Sequence, residues 1–71
     1  MSLEIAIEAA CKYLPEGYEV GLCMENGAAW IELHDPEGNK LEIADSADKN
    51  LDEQVIDAVT AAVDYSNQGE F

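Results

Sequence analysis

Two runs of alternating residues face each other across Asn26-Gly27, and no other feature restricts the fold of this chain as much. Tyr18, Val20, Leu22 and Met24 alternate with Glu19, Gly21, Cys23 and Glu25. Beyond the Asn-Gly pair, Ala29, Ile31 and Leu33 alternate with Trp30, Glu32 and His34. Asn-Gly suits a two-residue hairpin loop because both loop positions require positive φ. A loop of that length sets Met24 opposite Ala29, Leu22 opposite Ile31 and Val20 opposite Leu33. One face is then apolar throughout, so the register supports itself.

A second turn follows at Asp35-Pro36-Glu37-Gly38-Asn39, read as type I with glycine in the left-handed position. Leu41 and Ile43 then alternate with Lys40, Glu42 and Ala44 as a third strand, placing Leu41 against Leu33 and Ile43 against Ile31. The other face reads in rows: Cys23, Trp30 and Ala44; Gly21, Glu32 and Glu42; Glu19, His34 and Lys40. Such a face is expected to be polar and open to water.

Helical periodicity brackets the three strands. Leu3, Ala6, Ile7, Ala10, Tyr13 and Leu14 share one side of a 3.6-residue wheel, with Cys11 at its edge, Ser2 as cap and Pro15-Glu16-Gly17 as stop. Ile5 and Ala9 fall on the far side. Near the other end, Leu51, Val55, Ile56, Ala58, Val59, Ala62 and Val63 form an apolar face over about residues 51–66, with Asn50 and Glu53 as a capping box. Residues 1–71 therefore read as one small α+β domain, a helix–β-meander (three antiparallel strands)–helix, with both helices on one face of the sheet. A core of about twenty apolar side chains is expected.

Charge decides which functions remain open. Sixteen Asp and Glu stand against three lysines and no arginine, for a net charge of -13. Without a basic footprint, direct binding to nucleic acid or to an acidic membrane surface is excluded as an expectation. The start lacks the basic and apolar regions of a signal peptide, no apolar run is long enough to span a bilayer, and Cys11 and Cys23 read as reduced thiols of a cytoplasmic protein. No spacing suits zinc, calcium or a phosphate loop, so neither metal nor cofactor is expected, and a small-molecule ligand is not expected either. His34 has no nucleophile beside it in this register, and no enzyme activity is expected.

Two surfaces remain as candidates. Glu53, Asp57 and Asp64 run down the outward face of the second helix, Asp45, Asp48 and Asp52 precede or open that helix, and Asp35 and Glu37 sit at the second turn. Acids recurring without interleaved lysines point to a partner with a basic surface. Adaptation to high salt is another reading of the same acidity. The alternative site is the open sheet face, where Glu19, Trp30, Glu32, His34 and Glu42 share one side; tryptophan is enriched in binding hot spots. On that reading the chain is a small interaction or assembly module, and acidity serves only solubility.

The order helix-strand-strand-strand-helix is also that of double-stranded RNA-binding domains, but those place lysines where this chain has Asp48, Asn50, Asp52 and Glu53. The turn Glu37-Gly38-Asn39, the strand Lys40-Leu41-Glu42-Ile43 and the acidic stretch Asp45-Ser46-Ala47-Asp48 before a helix resemble the small acidic phage anti-CRISPR proteins. That resemblance implies a phage-encoded inhibitor acting in the host cytoplasm. Its acidic side chains would imitate nucleic acid and occupy a basic nucleic-acid-binding groove of a host CRISPR-type protein.

Overall fold

The computed structural model describes residues 2–43 and 49–68. Helix α1 spans Leu3–Tyr13, strands β1, β2 and β3 span Glu19–Glu25, Ala28–His34 and Lys40–Leu41, and helix α2 spans Leu51–Gln68. The strands form one antiparallel sheet in the order β1-β2-β3. Ser2 caps α1, its Oγ accepting from the Ile5 amide at 3.2 Å, as its position before an amphipathic run predicts.

The first hairpin has the expected register along its whole length. Glu25 pairs with Ala28 across the two-residue loop, and the ladder continues through Leu22 opposite Ile31 and Val20 opposite Leu33 to Glu19 opposite His34. Gly17, Gly27 and Gly38 hold φ at 89°, 89° and 88°. At Gly17 the requirement is double, because a Cβ there would also lie 2.9 Å from the Pro36 ring. The loop leaving α1 is thus packed tightly onto the second turn, where no larger residue fits without a shift.

The third strand is shorter than its sequence pattern predicts. Leu33 pairs with Leu41 and His34 with Lys40, and there the ladder ends. Ile43 does not continue the ladder opposite Ile31, nor does Glu42 lie in register with Glu32, since residues 42–43 follow β3 without strand pairing. Ala44, assigned to the row of Cys23 and Trp30, lies outside the described residues.

Both helices lie on the apolar side of the sheet, in unequal roles. Ala6 and Ala10 of α1 join Ile31, Leu33, Val55, Ala58 and Ala62 in one buried cluster. Helix α2 packs directly on β2 and β1, whereas α1 packs mainly on α2. Nine partly buried hydrophobic residues pack against these seven, so the core holds sixteen apolar side chains among the described residues, near the number expected. Leu22 and Met24 lie on the core side of β1 yet are 40% and 75% exposed, and Tyr13 of the expected α1 face is 70% exposed. Ile7, Ile56 and Val63, also assigned to buried faces, keep 36–43% of their surface exposed. Their helices turn these flanks past the edge of the neighbouring element, so periodicity identifies the apolar side but not how far a partner covers it.

One buried residue was absent from the expected core. Gln54 shares the spacing of Leu51, Val55 and Ala58, and its Nε2 donates to the Lys49 carbonyl at 2.8 Å. This bond, with the Gln54 amide donating to the Asn50 carbonyl at 3.0 Å, fastens the start of α2. It takes the place of the Asn50–Glu53 capping box, which does not occur among the described residues. A buried amide is tolerated here because its donor is paired.

Candidate functional site

The acidic residues singled out by the sequence divide into those engaged within the fold and those turned to water. Asp35 belongs to the first group. Its Oδ1 accepts from the amides of Glu37 and Asn39, both at 2.9 Å, while Asn39 Nδ2 donates to Oδ2 at 3.4 Å. The Asn39 amide above all, then the other turn donors, hold its carboxyl below the usual aspartate value, although burial opposes them. The backbone closes the same turn, with the Gly38 amide donating to the Asp35 carbonyl and the Asp35 amide to the Asn39 carbonyl, both at 2.9 Å. Asp35 therefore builds the turn and has little acceptor capacity left for a partner. Glu37, at the tip, is exposed.

On α2, Glu53, Asp57 and Asp64 project from the outward side, as helical spacing predicts. Asp57 is only part-exposed and pairs with Lys49, its Oδ2 lying 2.8 Å from Nζ. Glu53 and Asp64 are exposed, and among the described residues no cation pairs with either. The rise between them is about 16 Å at 1.5 Å per residue. Helix α2 continues to Gln68, one turn beyond Asp64, and its last turn holds no basic residue that could offset the acid. Asp52, in the first turn, is half-buried and engaged with its surroundings. Asp45 and Asp48 lie outside the described residues.

The open sheet face is organised by Glu32. Trp30 Nε1 donates to Glu32 Oε2 at 2.8 Å, Lys40 Nζ lies 3.7 Å from the same oxygen, and His34 Nε2 lies 3.8 Å from Oε1. The Trp30 hydrogen bond first, helped by the Lys40 charge and opposed by burial, keeps the Glu32 carboxyl below its ordinary value. The Cys23 thiol also donates to Glu32; desolvation, then the Glu32 charge, pushes that thiol up and away from reactivity. Glu19 stands opposite His34 in register but is exposed, and the carboxylate near the imidazole is Glu32 of the same strand. Cross-strand pairing does not reveal this hub, because alternate residues along one strand also share a face. Glu42, beyond the end of β3, is exposed and takes no part.

Where the chain leaves β3, a cleft of about 500 Å³ opens between Trp30, Ile31, Leu41, Ile43 and Gln54. Its polar lining includes Lys40 and Gln54, both already engaged. Cys11 and Cys23 are free thiols, and no three His, Cys, Asp or Glu side chains converge on a metal position among the described residues. No helix of the described residues is long and apolar enough to cross a membrane. A scan of protein-family models, a search of curated proteins and a search of solved structures each find no match.

Proposed function

We propose that this domain is a non-enzymatic acidic binding protein that occupies a basic, nucleic-acid-binding groove of a partner protein. The observation that carries this reading is the outward face of α2, where Glu53 and Asp64 are exposed and no cation pairs with them among the described residues. In a chain at -13, an unneutralised row on a rigid element costs stability and gives electrostatic steering toward a positive surface. Glu37, at the tip of a turn that Asp35 stiffens, adds a second exposed acid. The resemblance to acidic anti-CRISPR proteins makes the groove of an RNA-guided nuclease the first partner to try. The sheet face is the weaker site because Trp30 is half-buried and its only polar group is bonded to Glu32.

The test is a gel-shift assay in which a guide-loaded type II nuclease binds its target duplex with and without this protein at low salt. Wild type is expected to block the shift. The double variant Glu53→Lys with Asp64→Lys, which leaves the Asp57–Lys49 pair intact, is expected to lose at least tenfold in potency. Trp30→Ala is expected to keep its potency while retaining native circular dichroism. Inhibition that survives the double reversal but fails in Trp30→Ala would move the site to the sheet; no inhibition by wild type removes this class of partner.

A further inference from the structure

The two outer strands of the sheet differ in a way that acidity alone does not explain. β3 is a two-residue stub, but β1 runs seven residues, and among the described residues nothing pairs with its outer edge. Natural edge strands are commonly protected by lysine, proline, a bulge or short length. Residues 19–25 contain neither lysine nor proline, and their pairing with β2 is continuous, without a bulge.

The register shows which backbone groups are left open. In a hairpin closed by a two-residue loop, the pair next to the loop exchanges both hydrogen bonds, and such pairs then alternate along the ladder. Glu25, Cys23, Gly21 and Glu19 therefore bond to β2, while the amides and carbonyls of Val20, Leu22 and Met24 point away from it. The side chains of these same three residues face the apolar side of the sheet. Leu22 and Met24 are exposed there, and a notch of about 90 Å³ between α1 and β1, lined by Ile7, Leu14 and Val20, continues the apolar strip.

Charge identifies the occupant. A second copy paired antiparallel about Leu22 would set Glu19 opposite Glu25 at both ends, and like charges directly opposed destabilise a strand pair. We infer that the outer edge of β1 accepts an extended segment of a partner protein, apolar at alternate positions and carrying Lys or Arg opposite Glu19 and Glu25. Backbone bonds to Val20, Leu22 and Met24 give affinity in this mode, and the two end charges select the sequence. This surface is separate from the acidic face of α2, and the inference does not depend on the function proposed above.

The probe is a seven-residue peptide with lysine at both ends, valine at the second, fourth and sixth positions and threonine between. Its control carries glutamate at both ends. The readout is amide hydrogen exchange of the full chain, residue by residue, by NMR. At saturating lysine-ended peptide, exchange at Val20, Leu22 and Met24 is expected to slow at least tenfold, with little change at Gly21 and Cys23, and the control is expected to give no slowing. Met24→Lys, at an exposed position, is expected to abolish the effect while preserving the free protein's spectrum elsewhere. Equal slowing by both peptides, protection confined to other elements, or protection that grows with protein concentration without any peptide would each overturn the inference, the last by showing that a second copy is the occupant.

Discussion

The turn between β2 and β3 and the outward face of α2 use the same side chain in opposite ways. Asp35 is surrounded by donors that lower its carboxyl and lock the turn, whereas Asp64 stands exposed on the outward side of α2, without a paired cation among the described residues. Glu32 and Asp57 belong with Asp35, since each is tied to groups of the same fold. Glu53 belongs with Asp64. Net charge alone hides this division, and the residues that stabilise the domain are not those best placed to meet a partner. Substitution within the first set should lower the stability of the protein, and substitution within the second should change what it binds.

Asp35→Ala is the strongest test of that contrast. It removes the acceptor of two backbone amides and a side-chain amide, and a fall of several degrees in Tm at neutral pH is expected. Asp35→Asn, which keeps one acceptor oxygen but loses the charge, should fall between. The pH dependence follows from the lowered folded value. The advantage of wild type over Asp35→Asn is complete above the ordinary aspartate value of 3.8 and disappears as pH falls through the depressed one. Thermal melts of the two proteins across acidic pH measure this; a gap that persists at the lowest pH would show that the charge is not its source.

Glu32→Gln should have a smaller effect on stability, since glutamine Oε1 still accepts from Trp30, but a clear effect on Cys23. The Glu32 charge is the second cause raising that thiol, so its removal lowers the thiol pKa while desolvation, the larger cause, remains. In a Cys11→Ser background, the pH profile of Cys23 alkylation is expected to move to lower pH, though not to that of a free thiol. An unchanged profile would mean that Glu32 does not organise the sheet face.

How much of this was legible in the residues varies with the physics involved. The β1–β2 register was readable because a two-residue loop counts the strands into place and every core-side residue confirms the count. The length of β3 was not, because Ile43 alternates correctly and alternation does not say how many residues of a strand find a partner. Helical periodicity found the apolar sides of both helices but kept Ile56, Val63 and Tyr13 in the core, since it carries no measure of coverage. Gln54 could have been found, lying three residues after Leu51 and four before Ala58 on the same face. In composition the candidate acids form one population; that Asp35 and Asp57 are engaged depends on a turn geometry and on the position of Lys49, neither of which composition contains.

The smallest expected effect concerns the stability of the acidic face itself. Sixteen carboxylates against three lysines repel one another, and exposed charges are screened over about 10 Å at 0.1 M salt. Wild type is therefore expected to gain a few degrees in Tm between low and physiological ionic strength. Glu53→Lys with Asp64→Lys removes four negative charges' worth of this repulsion. At the start of α2, Glu53→Lys removes an acid where the dipole favours one, worth about 0.3–1 kcal/mol, whereas Asp64 lies more than a turn from the far end and beyond the dipole's reach. Salt separates this local loss from the long-range part, so the variant should gain less in Tm from added salt than wild type. Equal salt slopes for the two proteins would mean that Glu53 and Asp64 contribute little to the repulsion. The unneutralised face of α2 would then be no more strained than the turn held by Asp35, and the contrast between the two regions would rest on partner binding alone.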